Sequence, residues 1–241
     1  MEGDRLKSVP LPLRTAKHMI RPGEAMNWER PVYDPRCTLC RRLAAHLKGI
    51  RRQYPGYFAQ PVPPFGVAHP RLLVVGLAPG MHGANATGRP FTGDFAGSLL
   101  YRTLHEFGFS NRAVSLSRDD GLELRRCRIT NAVKCLPPGN RPLAAEIGNC
   151  NRYLRAELES LKGPLVVLAL GRIAHDAVLK ALDLRSSGFS FSHGAQYRLD
   201  PKRWLVDSYH CSRYNTQTGR LSKSMFRDVL RKAVELIDSS A

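Results

Sequence analysis

Arg71-Leu72-Leu73-Val74-Val75-Gly76-Leu77-Ala78-Pro79-Gly80 is the stretch on which the fold turns. Its apolar run has strand length and no alternation, the pattern of a strand buried on both faces, and it stops at Gly and Pro. Runs of the same kind lie at 128–133 and 164–170, with a less continuous one at 203–208. Helical patterns fall at about 97–107, 142–161, 172–182 and 222–237. In the last, Met225, Phe226, Val229, Leu230, Val234 and Ile237 make one apolar stripe. Buried strands separated by helices predict an α/β fold, a three-layer α/β/α sandwich around a central four-stranded parallel sheet.

Outward from that core, Cys40 to about Arg52 reads as a short basic helix, and residues 54–70, with five prolines, as extended loop. Residues 1–35 are Pro- and charge-rich with little periodicity and read as a partly irregular arm; residues 36–241 are expected to form a single catalytic domain. No internal repeat is visible. No apolar stretch approaches the ~20 residues of a membrane span, and the first residues lack the order of a secretory signal. A cytoplasmic, nucleoid-associated chain with no membrane partner is expected. Lys plus Arg number 37 against 20 Asp plus Glu, a net charge of +17. Such an excess implies a polyanionic partner and salt-dependent binding, and with no basic amphipathic anchor the partner is nucleic acid.

Cys37-Thr38-Leu39-Cys40 is answered far downstream by Cys135 and Cys150. Thiols at i and i+3 close on one metal centre when the chain turns between them. The second pair is too widely spaced for a zinc-knuckle turn, and a zinc ribbon repeats the short spacing. One tight turn and one long loop suit an iron–sulfur cluster at least as well, so spacing leaves cluster and zinc both open. Cys127 and Cys211 stand outside the set.

In a parallel sheet ligands bind beyond the carboxyl ends of the strands, and the unusual residues collect there. After the first strand come Gly76-Leu77-Ala78-Pro79-Gly80 and Gly88-Arg89-Pro90-Phe91-Thr92-Gly93-Asp94. The first lacks P-loop and dinucleotide spacing, yet its backbone at Gly76, Ala78 and Gly80 can lie against a phosphate or a planar base. Phe91, expected as an exposed ring, suits base stacking. Asn131 ends the second strand with one acceptor and two donors. Lys134, Cys135 and Pro137-Pro138-Gly139-Asn140-Arg141 follow; His210 leads Cys211-Ser212-Arg213-Tyr214 after the fourth strand.

Together, Gly76–Gly80 through Gly88–Asp94, Ile129-Thr130-Asn131-Ala132-Val133-Lys134-Cys135-Leu136-Pro137-Pro138-Gly139-Asn140, and His210 through Leu221 resemble the type-5 (type B) uracil-DNA glycosylases. The likeness runs in consistent order from about Arg36 to the C-terminus, and the three motifs are jointly specific. It implies a four-stranded parallel sheet between helices, a [4Fe–4S] cluster on Cys37, Cys40, Cys135 and Cys150, and removal of deaminated bases from DNA. That resolves the metal in favour of iron–sulfur. Related types carry an acid or amide at the second or third position of the first motif; here Leu77 and Ala78 are apolar, as in the type-5 branch, which leaves the water-handling group unassigned. Cys211 stands where many relatives have Pro or another apolar residue.

The chemistry expected is base flipping from double-stranded DNA carrying a deaminated base, with single-stranded DNA a second candidate substrate, by a monomer. Lys134, Arg141, Ser212, Arg213 and Tyr214 would meet DNA, the last three pressing into the gap. Phe91 would stack the base and Asn131 read its edge. His210 would stabilise the departing anion, and Asp94 hold or polarise water. The alternative is a non-catalytic iron–sulfur nucleic-acid-binding module, which leaves Phe91, Asn131 and His210 on one rim unexplained. A zinc deaminase lacks its His-x-Glu and Pro-Cys-x-x-Cys. A hydrolase using Cys211 beside His210 fails because adjacent residues in extended chain point apart.

Overall fold

The computed structural model describes residues 32–240. The expected arm therefore lies, up to residue 31, outside the described residues. Among these, six strands form one sheet: β1 (Phe65–Gly66), β2 (Leu72–Gly76), β3 (Cys127–Asn131), β4 (Leu165–Leu170), β5 (Gln196–Asp200) and β6 (Arg203–Ser208). Their spatial order is β1-β3-β2-β4-β6-β5. The four strands expected from apolar runs are mutually parallel and central, with Gly76 beside Asn131 at the ends of β2 and β3. Two antiparallel edge strands that the sequence reading did not include close the sheet. β1 interrupts the stretch read as loop, and β5 pairs with β6 as a hairpin across Pro201-Lys202.

The strand period divides the core. Leu72 and Val74 of β2 point to one face, where α3 (Phe95–Glu106) and α7 (Lys223–Asp238) pack. Leu73 and Val75 point to the other, against α4 (Ala144–Ser160) and α5 (Arg172–Ala181). The three-layer sandwich follows from that alternation of buried residues on both faces. On α7 the buried stripe is Phe226, Val229, Leu230, Ala233, Leu236 and Ile237, with Met225 and Val234 at its margin.

A third apolar cluster sits off the sheet. α1 (Arg41–Gln53) packs Leu43, Leu47 and Ile50 against Val133, Leu136 and Tyr153. It encloses Cys37, Cys40, Cys135 and Cys150. No helix among the described residues is long and apolar enough to cross a membrane.

Candidate active site

The loops after β2, β3 and β6 surround a cavity of about 440 Å³. The connection after β2 runs to β3 on one side and the connection after β4 runs to β5 and β6 on the other, so the strand order reverses between β2 and β4 and opens a crevice at the strand ends. The lining includes Ala78, Gly80, Phe91, Asp94, Asn131, His210, Ser212 and Arg213. Of the residues expected to bind and transform the ligand, all but Gly76 line this cavity.

Asn131 is 3% exposed, and its Oδ1 has no hydrogen-bond partner among the described residues. An unpaired buried acceptor is costly, by about 1–3 kcal/mol. Glycine at 76 is what admits it. A Cβ there would meet Asn131 Oδ1 at 2.4 Å and Phe91 Cζ at 2.6 Å, so any larger residue drives both side chains away.

Phe91 is not the exposed ring expected from its polar loop. It is 6% exposed and packs on the core while one side faces the cavity. Its backbone sits at φ +55, a left-handed conformation rare for a bulky residue. The loop is braced to hold it. Tyr101 donates to the Pro90 carbonyl at 2.8 Å. Arg89, 4% exposed, donates to Thr92 Oγ1, Ser115 Oγ and the Asp120 carboxylate.

The His210 ring lies 6.0 Å from that of Phe91, centroid to centroid and tilted by 31°. Burial pushes its pKa from 6.5 down to about 4, so the imidazole is neutral near neutral pH. A neutral ring donates one N–H without bringing a charge. Its backbone is pinned by Asn215 Nδ2, which donates to the His210 carbonyl at 2.8 Å.

Asp94 caps α3: its Oδ1 accepts from the Gly97 N–H at 2.8 Å. Burial raises its pKa. Its other oxygen, Oδ2, lies toward Gly80 and Gly83. The carboxylate therefore has a structural task, while the residue also lines the cavity.

On the rim, Ser212 caps α6 (Arg213–Gln217) by accepting from the Asn215 N–H. Tyr214 stands 71% exposed and the Arg213 guanidinium lies 5.2 Å from the Phe95 ring centroid. Arg141 is exposed. Lys134 departs from expectation: it is 2% exposed, with its ammonium against Thr130 Oγ1 and the Glu157 carboxylate. It cannot present its charge to a phosphate, because β3 delivers it into the layer between sheet and α4. Asn140 and Phe95 line the cavity and were not singled out beforehand. Asn140 carried a signal, an Asn following Pro-Pro-Gly, and it takes φ +56.

Cys37, Cys40, Cys135 and Cys150 ring a separate tight cavity of about 20 Å³, walled by Leu39, Leu43, Ala44, Val133 and Tyr153. All four are unpaired with one another. Among the described residues no three His, Cys, Asp or Glu side chains gather as a site for a metal ion. The four thiols are spaced around the cavity wall. Two are already hydrogen-bonded: the Lys134 N–H donates to Cys150 Sγ at 3.2 Å and Asn149 Nδ2 to Cys40 Sγ at 3.7 Å. Burial raises the pKa of Cys40, Cys135 and Cys150, so thiolates here call for a cationic partner. Cys127 and Cys211 lie in the core cluster beside the sheet, apart from this cavity.

Comparison with known proteins matches residues 63–234 to the uracil DNA glycosylase superfamily. The type-5 uracil-DNA glycosylase of Thermus thermophilus is 49% identical over 205 residues, covering 83% of this chain and 93% of the relative. That of Pyrobaculum aerophilum is 45% identical over 201 residues, covering 82% and 87%. A type-4 uracil-DNA glycosylase of Saccharolobus solfataricus is more distant, 31% identical over 174 residues, covering 70% and 74%. With the family match spanning most of the chain and its type-5 members this similar, the chain belongs to the uracil DNA glycosylase superfamily, in its type-5 branch.

Proposed function

We propose that this chain excises uracil from DNA by hydrolysing the bond between base and sugar, leaving an abasic site. The observation that carries the reading is the unpartnered buried Oδ1 of Asn131 at the wall of a cavity floored by Phe91 and reached by His210. A flipped uracil supplies what that acceptor lacks, an imide N–H, while the amide NH₂ meets the neighbouring carbonyl.

As the glycosidic bond breaks, its electron pair leaves with the base and negative charge gathers on the carbonyl beside the leaving nitrogen. His210, neutral through burial, donates an N–H to that oxygen. The sugar becomes cationic, and the strand's own phosphates lower that cost. Water then attacks the anomeric carbon, and the proton it sheds is taken up by the departed base anion, which leaves as neutral uracil. Asp94, which lines the cavity, is the residue proposed to hold that water. Ala78, Gly80 and Ala84 keep that wall shallow, and we extend the reading to larger deaminated bases.

DNA is the partner. Arg141, Ser212, Arg213 and Tyr214 are proposed to meet it, with exposed Tyr214 entering the gap the base leaves. Work on DNA puts the proposed place of action at the nucleoid, by a monomer. For the cofactor, Cys37, Cys40, Cys135 and Cys150 would hold a [4Fe–4S] cluster, supported by their shared cavity, their all-thiol donor set and the N–H groups on two sulfurs. When bound, that group supplies a rigid tie between the 37–40 turn, residue 135 and α4. The non-catalytic alternative gives no account of the unpaired amide oxygen. The test is incubation with matched duplexes holding uracil, hypoxanthine, xanthine or mispaired thymine, then alkaline cleavage. Strand scission at uracil is expected; intact strands for every substrate would overturn the proposal.

A further inference from the structure

Lys134 stands between two sites. Its backbone N–H donates to Cys150 Sγ at 3.2 Å, and its ammonium donates to Thr130 Oγ1. The same ammonium lies 3.5 Å from Glu157 Oε2, in a carboxylate that is 0% exposed. Glu157 and Cys150 are both on α4, seven residues apart and hence on one side of the helix. Thr130 immediately precedes Asn131 on β3. Arg128, at 3.7 Å, reaches the other oxygen of Glu157.

A buried ammonium–carboxylate pair stabilises a fold poorly, because desolvation of both charges offsets their attraction, and apolar residues of like volume serve packing as well. What apolar residues lack is direction. The ammonium is hydrogen-bonded to Thr130 and in charge contact with a Glu157 carboxylate that has no other partner than Arg128 among the described residues. It thereby ties α4, which carries a thiol of the cage, to β3, which carries Asn131. We propose that Lys134 is a positioning residue that couples the cysteine cage to Asn131 through Glu157 and Thr130. The coupling rests on the reading of the cage as a cluster site and the cavity as a base pocket.

The test is the double variant Lys134→Met/Glu157→Met, which removes both fully buried charges at once; Arg128 loses its carboxylate but is 17% exposed and keeps its donation to the Val67 carbonyl. Its thermal midpoint should stay near that of the parent. Loss of iron to a chelator should nonetheless accelerate on the order of tenfold, the lower scale for second-shell changes at metal sites. Discrimination of uracil from thymine should fall by a similar factor, with the dissociation constant for undamaged DNA unchanged. Should the double variant not fold, Thr130→Val, which removes the ammonium's acceptor and keeps its shape, should move both readouts in the same direction. Retention of either parental iron loss or parental discrimination overturns the coupling. If the parent chain carries no iron, the cofactor reading fails and discrimination alone decides: parental selectivity then removes Lys134 from positioning Asn131.

Discussion

The cysteine cage and the base pocket are built on opposite principles. The pocket is roomy, about 440 Å³ against about 20 Å³, and leaves a polar atom of Asn131 unpaired. The cage is walled by apolar side chains, and two of its sulfurs are already hydrogen-bonded by the protein. A transient ligand needs open volume and unspent hydrogen-bond capacity; a permanent one needs a tight wall and ligands pre-oriented by their neighbours. Between these two sites, the unspent acceptor lies where the proposed substrate would turn over, and the pre-bonded sulfurs where the proposed cluster would stay.

The contrast breaks first at the cage. Ser at Cys135 or Cys150 should abolish iron binding and brown colour, while Ser at Cys127, outside the cavity, should keep both. Iron and sulfide assays on anaerobic preparations check this, and stoichiometric zinc in place of iron would remove the distinction drawn here.

In the pocket, Gly76→Ala should be severe. The added methyl collides with Asn131 and Phe91 together, and displacement of positioning groups by ~1 Å costs on the order of 10²-fold. Single-turnover excision of uracil measures it. Asn131→Ala should act differently, relaxing which base is accepted through loss of edge contacts worth about 1–3 kcal/mol. Unaltered base preference would deny Asn131 its reading role.

Rim contacts should be weaker and less selective. Arg213→Ala and Arg141→Ala should lower affinity for damaged and undamaged duplex alike, since phosphate contacts carry no sequence information. They should also flatten the salt dependence of binding. The smallest effect expected is that of pH. With the folded His210 pKa near 4 instead of 6.5, the imidazole stays neutral across mildly acidic conditions. The excision rate should show no His210 limb around 6.5. The unfolded chain binds that proton first, so the group's contribution to stability should fall as pH drops from 6.5 toward about 4.

What the sequence revealed follows the same division. Buried parallel strands announce themselves as unbroken apolar runs, and each of the four central ones was legible. β5 was not, because its Tyr197 and Leu199 alternate with exposed Arg198, the signature of a half-covered edge strand. β1 is two residues long and carries no periodic signal. In the site, spacing singled out the cysteines and strand-end position singled out Asn131 and His210. Lys134 was misread because composition counts charge without direction: a lysine one residue before a loop cysteine looks like surface, while β3 and α4 in fact enclose it. Phe91 was misread for the parallel reason, a polar neighbourhood in sequence that Arg89 and Tyr101 fold inward.

On the proposed function, the pocket performs the chemistry through His210, while DNA affinity and the cysteine cage rest on other residues. His210→Ala, assayed under single turnover on a uracil-containing duplex alongside its DNA dissociation constant and iron content, tests it most directly. A fall of roughly 10²-fold or more in rate is expected, the scale for removing one anion-stabilising donor, with DNA affinity and iron unchanged. A rate near that of the parent, or a loss explained wholly by weaker binding, would contradict it.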